Sequence, residues 1–305
     1  MSYASPLVVI IGETASGKSA LALQLAQQFN GELICADSWT VYKGFDIGTA
    51  KPSPQERKLV PHHLLDVADP QQGFSAVEFQ RLAQAAITDI TARGKLPIMV
   101  GGTGLYIDSV LYEYQFLPPP APEVRAALEA SSLEELLEQA GERQLDLSGI
   151  DVRNKRRVIR LLENNGAQPQ RADLRDHTLV LGIVTDREHL RERITKRVDA
   201  MLAAGLETEV KQLSQRYGWE AEPMKGIGYR EWRAYFEPES SAAGYDGQSL
   251  EQTRQRIISA SMQLAKRQRT WFRNARYTGN DCIHWVQAPN TYEQSVAYTT
   301  TFLKD

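Results

Sequence analysis

Cysteine is scarce: Cys35 and Cys282 are the only two in 305 residues. A pair so far apart builds neither a disulfide framework nor a metal-ligand pattern, so a reducing compartment is expected. No apolar run reaches the roughly 18 residues that span a bilayer. The stretch from Met1 to Pro6 lacks the basic start and apolar core of a secretory signal. The expectation is a cytoplasmic protein with no membrane partner, and a monomer. A strong charge of either sign is absent too: the formal net charge is -3. That excludes a protein that coats nucleic acid non-specifically, but it leaves room for a local basic groove. There is no internal repeat. What is present, 42% hydrophobic and 24% charged residues, is an ordinary globular composition, long enough for one large domain or two modest ones.

Leu7 to Ile11 is a short, wholly apolar, β-branched run and reads as a buried parallel strand. A glycine-rich loop follows at once. Ala20, Leu21, Leu23, Leu25, Ala26 and Phe29 then recur at helical spacing, with Gly31 as the helix end. Residues 32–36 form a second strand, carrying Asp37 and Ser38 at its C-terminal end, where open α/β sheets bind ligands. Residues 39–73 read as mostly irregular, and a connection that long is usually functional. A helix over 75–93 is capped by Ser75 with Glu78 three residues on. Residues 97–100 form a strand entering Gly101-Gly102-Thr103-Gly104, and a helix starts at Leu105.

The prolines at 118, 119, 120 and 122 mark a break. Charged helical segments follow at 123–130, 133–140 and 152–164. Residues 178–184 return to strand. Asp186 caps a helix ending near Gly205, and a last long helix covers 252–272. The expected architecture is α/β: a P-loop NTPase-like parallel sheet flanked by helices, with a mainly helical insertion. Residues 1–117 would be the first part of the core and 118–176 the insertion. Residues 177–305 would be the second part, ending in a basic helix.

Gly12-Glu13-Thr14-Ala15-Ser16-Gly17-Lys18-Ser19 satisfies G-x-x-x-x-G-K-[ST] in full. Its glycines let successive N–H groups converge on one anion, and the following helix presents its positive end to the same anion. Lys18 adds charge, and Ser19 can ligate Mg²⁺ between phosphate oxygens. Phosphoryl transfer would need a further carboxylate on the metal, normally closing an apolar strand. The strand 98–100 ends instead in Gly101-Gly102-Thr103. Asp37 could take the metal role, or serve as a base facing the acceptor.

The chain closely resembles the bacterial tRNA dimethylallyltransferases. The likeness is carried by the phosphate loop, Asp37-Ser38, Val41-Tyr42-Lys43-Gly44, Asp46-Ile47-Gly48-Thr49-Ala50-Lys51-Pro52 and Pro61-His62-His63-Leu64-Leu65-Asp66. It continues through Val100 to Tyr106, Gly228-Tyr229-Arg230 and Gln263-Leu264-Ala265-Lys266-Arg267-Gln268, spanning about residues 8 to 285. The phosphate loop alone is widely shared, whereas residues 46–52 and 101–106 are specific.

This resemblance implies transfer of a dimethylallyl group from its diphosphate to N6 of adenosine 37, in tRNAs that read codons beginning with U. Diphosphate would sit on Gly12, Thr14, Ala15, Ser16, Gly17, Lys18, Ser19 and Arg197, with Mg²⁺ on Ser19. Asp37 would be the base, with Thr103, Lys18 and Arg197 completing the catalytic set. Asp37, Ser38, Trp39 and Thr40 would meet the tRNA. So would Arg156, Arg157 and Arg160 of the insertion, which would grip the anticodon stem-loop, and Lys266 and Arg267 of the last helix. The wider basic cluster 266–269 would track the phosphate backbone, and Trp39 and Tyr42 are candidates for stacking on a flipped base.

Three stretches depart from the family pattern. Glu13 stands where proline is usual; a carboxylate beside diphosphate is repulsive, so it is expected to point outward. Arg156-Arg157-Val158-Ile159-Arg160 replaces Q-R-x-x-R, and Ser261-Met262 replaces T-R. His62 and His63 suit structural hydrogen bonding better than zinc, since no third ligand lies at local spacing, and Cys35 suits packing. The rival readings are a P-loop kinase of a small metabolite or nucleoside, a prenyltransferase of free adenylate, and a non-catalytic nucleotide-gated RNA-binding module.

Overall fold

The computed structural model describes residues 5–118, 120–148, 150–237, 249–274 and 282–304. Residues 1–4 and Pro119, singled out above, lie outside them. Six strands form one sheet: β1 (Leu7–Gly12), β2 (Gly31–Ala36), β3 (His62–His63), β4 (Leu96–Gly101), β5 (Thr178–Val184) and β6 (Ile283–Gln287). Their order is β3-β2-β4-β1-β5-β6, and every pairing is parallel. β1, β2 and β4 are buried at every position, as strands covered on both faces must be.

Register explains why three distant loops meet. Ile11 pairs with Gly101, and Gly101 with Ala36. The phosphate loop after β1, Asp37 after β2 and the Gly102–Gly104 turn after β4 therefore leave the same edge of the sheet side by side. That edge is the carboxyl end, where α/β sheets hold ligands.

Two compact units make up the chain, residues 1–111 with 174–305, and residues 112–173. In the first, α1 (Lys18–Gln28) follows the phosphate loop. It ends at Phe29, and Asn30 takes the left-handed backbone (φ 51°) expected of Gly31, which opens β2 instead. Asparagine tolerates that conformation better than other residues with a Cβ. The segment 39–73 is less irregular than expected. It contains α2 (Pro54–Leu59), with Ser53 and Glu56 as a reciprocal capping box and Pro54 in its first turn. α3 (Ala76–Ala92) has the Ser75–Glu78 capping box read from the sequence, and α4 (Gly104–Leu111) follows β4.

The second unit holds α5 (Pro122–Ala130), α6 (Leu133–Glu142) and α7 (Lys155–Glu163). They close on a core of Leu128, Leu136, Ala140, Val158, Ile159 and Leu162. This unit begins and ends somewhat earlier than the expected 118–176, and Ala172 N donates to the Tyr112 carbonyl at 2.8 Å to tie its ends.

The first unit resumes with α8 (Arg187–Ala203), whose N-cap is Asp186, then α9 (Leu206–Tyr217), α10 (Arg233–Phe236), α11 (Leu250–Phe272) and α12 (Thr291–Phe302). The short β3, α9, α10, β6 and α12 were not anticipated from the sequence. Tyr292, Val296 and Phe302 of α12 pack on the same cluster as Leu21, Leu25, Ile98 and Leu181. A second cluster joins α8, α9 and α11 to Phe45, Tyr229 and Trp232.

Candidate active site

Between β1 and α1 the backbone curls through Gly17 at φ 96°, a conformation that glycine adopts without strain. Lys18 Nζ donates to the Glu13 carbonyl at 3.2 Å. Burial is the main cause that lowers the Lys18 ammonium from 10.5 to about 8, with the nearby Arg197 charge adding to it and Asp37 and Glu13 opposing it. Arg197 comes from α8. Its Nη1 donates to Thr14 Oγ1 at 3.1 Å and its Nη2 to the Thr49 carbonyl at 3.3 Å. Burial lowers its guanidinium too, against the pull of Asp37. Two cations crowded together without enough counter-charge make a site tuned for an anion.

Asp37 stands just past β2. Its Oδ1 accepts from Trp39 N at 2.9 Å and Thr40 N at 3.4 Å, the local turn that aspartate favours. Thr103 Oγ1 accepts from Ser38 N at 3.0 Å. Thr103 therefore holds the turn that carries Asp37, without bonding the carboxylate.

Lys18, Ser19, Asp37, Thr14, Thr49 and Arg197 line one cavity together with the apolar side chains Leu33, Cys35, Val100 and Leu264. Burial, then the Asp37 charge, pushes the Cys35 thiol up to about 12, so it packs as a neutral group. Beside it lies a second cavity lined by Trp39, Ile194, Met201, Ile227, Ile257 and Ser261. Asp37, Thr14, Thr49, Arg197 and Leu264 belong to both. One chamber is cationic with an apolar wall, the next is mainly apolar, and Asp37 lies on their common boundary.

No group of three or more His, Cys, Asp or Glu side chains able to hold a metal occurs among the described residues. A magnesium ion needs few protein ligands, because phosphate oxygens and water fill most of its octahedron. The Ser19 hydroxyl and the Asp37 carboxylate are hard oxygen donors lining one cavity, and they fit that requirement.

The 46–52 loop forms another part of the wall. Glu209 of α9 accepts from the N–H groups of Asp46 at 3.2 Å, Ile47 at 2.8 Å and Gly48 at 3.0 Å, and from Tyr229 Oη at 2.7 Å. Lys51, with a side chain 1% exposed, pairs with Asp46 at 2.9 Å and Asp66 at 2.6 Å. One half-buried carboxylate, that of Glu209, thus gathers three amides of the loop. Nothing in the sequence around Glu209 signals that role.

Several expected placements need correction. Glu13 does not point outward: it is 4% exposed and its carboxylate is held by Arg269 Nε and Nη2. Arg269 also donates to the Thr185 carbonyl at 3.0 Å. It is thus turned inward, away from the backbone-tracking role given to the 266–269 cluster, while Lys266 and Arg267 are exposed. Tyr42 is 2% exposed and packs edge-on against Phe45 in the core. Trp39 is half-buried and lines the second cavity. In the 112–173 unit, Arg156 and Arg157 are exposed. Arg160 braces that unit, bonding the Leu117 carbonyl at 3.2 Å and Glu163 at 3.3 Å. His63 Nε2 meets Glu32 at 2.7 Å, and His62 Nδ1 meets the Val60 carbonyl at 2.8 Å.

Residues 40–275 match the family model described as IPP transferase. A tRNA dimethylallyltransferase of Anoxybacillus flavithermus is 45% identical over 282 residues, covering 88% of this chain and 87% of the relative. One from Bacillus subtilis is 40% identical over 288 residues, covering 88% of each. Among solved structures, the full-length tRNA isopentenylpyrophosphate transferase of Bacillus halodurans superposes with a TM-score of 0.74 at 33% identity, covering 99% of this chain and 97% of that one. A eukaryotic dimethylallyltransferase acting on tRNA superposes with a TM-score of 0.82 at 28% identity, covering 99% of this chain and 80% of that one.

Proposed function

This chain belongs to the IPP transferase family, and on that premise we propose how its two cavities carry out one reaction. It is an enzyme that transfers a dimethylallyl group to a tRNA adenosine. In the proposal the donor is dimethylallyl diphosphate, the acceptor is N6 of adenosine 37 in tRNAs reading codons that begin with U, and diphosphate is released. The observation that carries this is the boundary position of Asp37, with an anion-seeking chamber on one side and a mainly apolar one on the other.

The diphosphate lies on the loop, against Lys18 and Arg197, and the five-carbon tail lies on Leu33, Cys35, Val100 and Leu264. As the C1–O bond breaks, its electron pair goes to the diphosphate. Lys18, Arg197 and the N–H groups that open α1 at Lys18 and Ser19 would meet that charge, and preorganised donors of this kind commonly supply the largest share of catalysis. The apolar wall keeps water from the allylic carbon. Mg²⁺ held by Ser19, when bound, would add further neutralisation of the leaving group.

The adenine leaves its stack, which is inexpensive in a single-stranded loop, and enters the chamber beside Trp39. Its N6 lone pair is delocalised into the ring, so the N–H becomes acidic only as the new N–C bond forms. Asp37 accepts that proton, and Thr103 steadies the turn that carries it. Thr40, 7% exposed, lines the diphosphate side rather than the chamber of the base, and Ser38 belongs with it to the turn that carries Asp37. Arg156 and Arg157 of the helical unit, with Lys266 and Arg267 of α11, meet the RNA backbone, since exposed arginines and lysines are the usual phosphate ligands. Arg160 supports the helical unit from within.

The direct test mixes the protein with Mg²⁺, dimethylallyl diphosphate and an unmodified anticodon stem-loop, then maps the mass gain by digestion and mass spectrometry. A five-carbon addition at adenosine 37 is expected. Addition at another adenosine would overturn the assignment of position. The Asp37→Ala variant is expected to lose about 100- to 10,000-fold in turnover while still binding tRNA. Undiminished turnover would remove Asp37 as the base.

A further inference from the structure

Gln268 is a polar side chain on α11, 8% exposed, and both ends of its amide are used. Oε1 accepts from Thr14 N in the phosphate loop at 2.7 Å. Nε2 donates to the Gly102 carbonyl at 3.0 Å. The approach is close enough that a Cβ on Gly102 would fall 2.2 Å from Gln268 Nε2. One helical turn on, Trp271 does the same at Gly104, where a Cβ would fall 2.3 Å from its indole nitrogen. A side chain at Gly104 would thus meet the Trp271 ring, and one at Gly102 would displace the Gln268 amide.

Each end of the amide leads to one half of the reaction. Thr14, whose N–H is fixed by Gln268, receives Arg197 on its hydroxyl at 3.1 Å. Gly102 precedes Thr103, which bonds the Ala36 carbonyl through its N–H at 3.2 Å and the Ser38 N–H through its hydroxyl at 3.0 Å. Those two residues bracket Asp37. Resting on the proposed reading of the site, we propose that Gln268 is a positioning residue for the transfer: its amide sets the spacing between the leaving-group clamp and the turn that carries the base.

The chemistry makes this spacing measurable. Once the C1–O bond has given its electrons to the diphosphate, the allylic cation is captured by whichever nucleophile is in place. With N6 aligned, the product is prenylated RNA. With the alignment loosened, water adds to the carbon and loses a proton, giving dimethylallyl alcohol and diphosphate. A loosened spacing therefore shifts the ratio of hydrolysis to transfer, whereas plain loss of folded enzyme lowers both together. Misplacement by about an ångström costs on the order of 100-fold in rate.

The test compares Gln268→Met, which keeps the length but makes neither bond, with Gln268→Glu, which keeps the acceptor toward Thr14 and loses the donor toward Gly102. Transfer, alcohol formation and stem-loop affinity are followed together. Q268M is expected to bind stem-loop within about 2-fold of the parent, to transfer about 100-fold more slowly, and to raise the alcohol-to-transfer ratio at least about 10-fold. Q268E is expected to fall between Q268M and the parent. An unchanged ratio in both variants overturns the proposal, whether or not their rates fall, and so does an unchanged transfer rate. Asp37→Ala, measured alongside, separates the two ideas. If it transfers normally, the reading of the site falls and the inference with it. If it is impaired while the Gln268 variants keep the parental ratio, the inference alone falls.

Discussion

Arg269, on the last long helix, closes its guanidinium on the buried carboxylate of Glu13 in the phosphate loop. The Glu13 side chain is 6% exposed and that of Arg269 is 36% exposed. A carboxylate that would repel diphosphate is thereby turned away and neutralised.

Breaking this pair from the arginine side strands a buried charge. Exposed pairs are worth about 0.2–1 kcal/mol, and removing one partner of a fully buried pair costs about 3–5 kcal/mol. Arg269→Ala should fall between, at roughly 2 kcal/mol of unfolding free energy. The same substitution made in a Glu13→Gln background should cost clearly less. Urea denaturation of the four proteins checks this; equal costs in the two backgrounds would mean that the pair is not coupled.

Lys18 sets a pH limit. With its ammonium lowered to about 8, it loses its charge as pH rises through that value, and the free enzyme's grip on diphosphate weakens. The kcat/KM for dimethylallyl diphosphate should fall above about pH 8, because that parameter reports the free enzyme. The same shift acts oppositely on stability. The folded state disfavours the charged form, so unfolding free energy gains from Lys18 between about 8 and 10.5 as pH rises. Lys18→Arg, always charged, should abolish the fall in kcat/KM; a limb that persists in the variant belongs to another group.

Glu209 gathers three loop amides and one phenol. Glu209→Ala leaves those donors unpaired, at about 1–3 kcal/mol for each that stays buried. A total loss of roughly 3 kcal/mol is expected, since water can reach Asp46. Hydrogen exchange at the amides of residues 46–48 should rise sharply while α1 keeps its protection. Unchanged exchange in that loop would show that other interactions hold it.

Arg156 and Arg157 are the exposed arginines of α7. Replacing both with Ala should weaken stem-loop binding and reduce the slope of log affinity against log salt by about 0.7–0.9 for each RNA phosphate that the pair neutralises. The KM for dimethylallyl diphosphate should stay constant. A shift in that KM with an unchanged salt slope would place their role elsewhere.

Residues 7–28 are legible in the sequence because strand, phosphate loop and helix are contiguous, each announced by its own periodicity. Ser75 and Asp186 announce their helices through capping chemistry that lies within a few residues. α2 carries the same signal at Ser53 and Glu56, but its six residues give no hydrophobic period to read. β6 has only one buried position, so it lacks the apolar run that betrays an inner strand. Glu13 defeats a local reading for a different reason. Its repulsion from diphosphate is real, but the cation that resolves it lies 256 positions away.

The sequence by itself determined the strand–loop–helix order of the P-loop α/β core and the place of Asp37 at the end of a strand, because each depends on spacing within a short segment; the role of Asp37 as base came from the family resemblance. Only the tertiary structure decided which way Glu13 and Arg269 face, that Tyr42 belongs to the core, that Glu209 shapes the 46–52 loop, and that Gln268 spans two loops. These depend on partners from distant parts of the chain. Burial requires every such polar group to find a partner, but the one it finds is set by strand register and helix packing, which bring together residues that no local pattern relates.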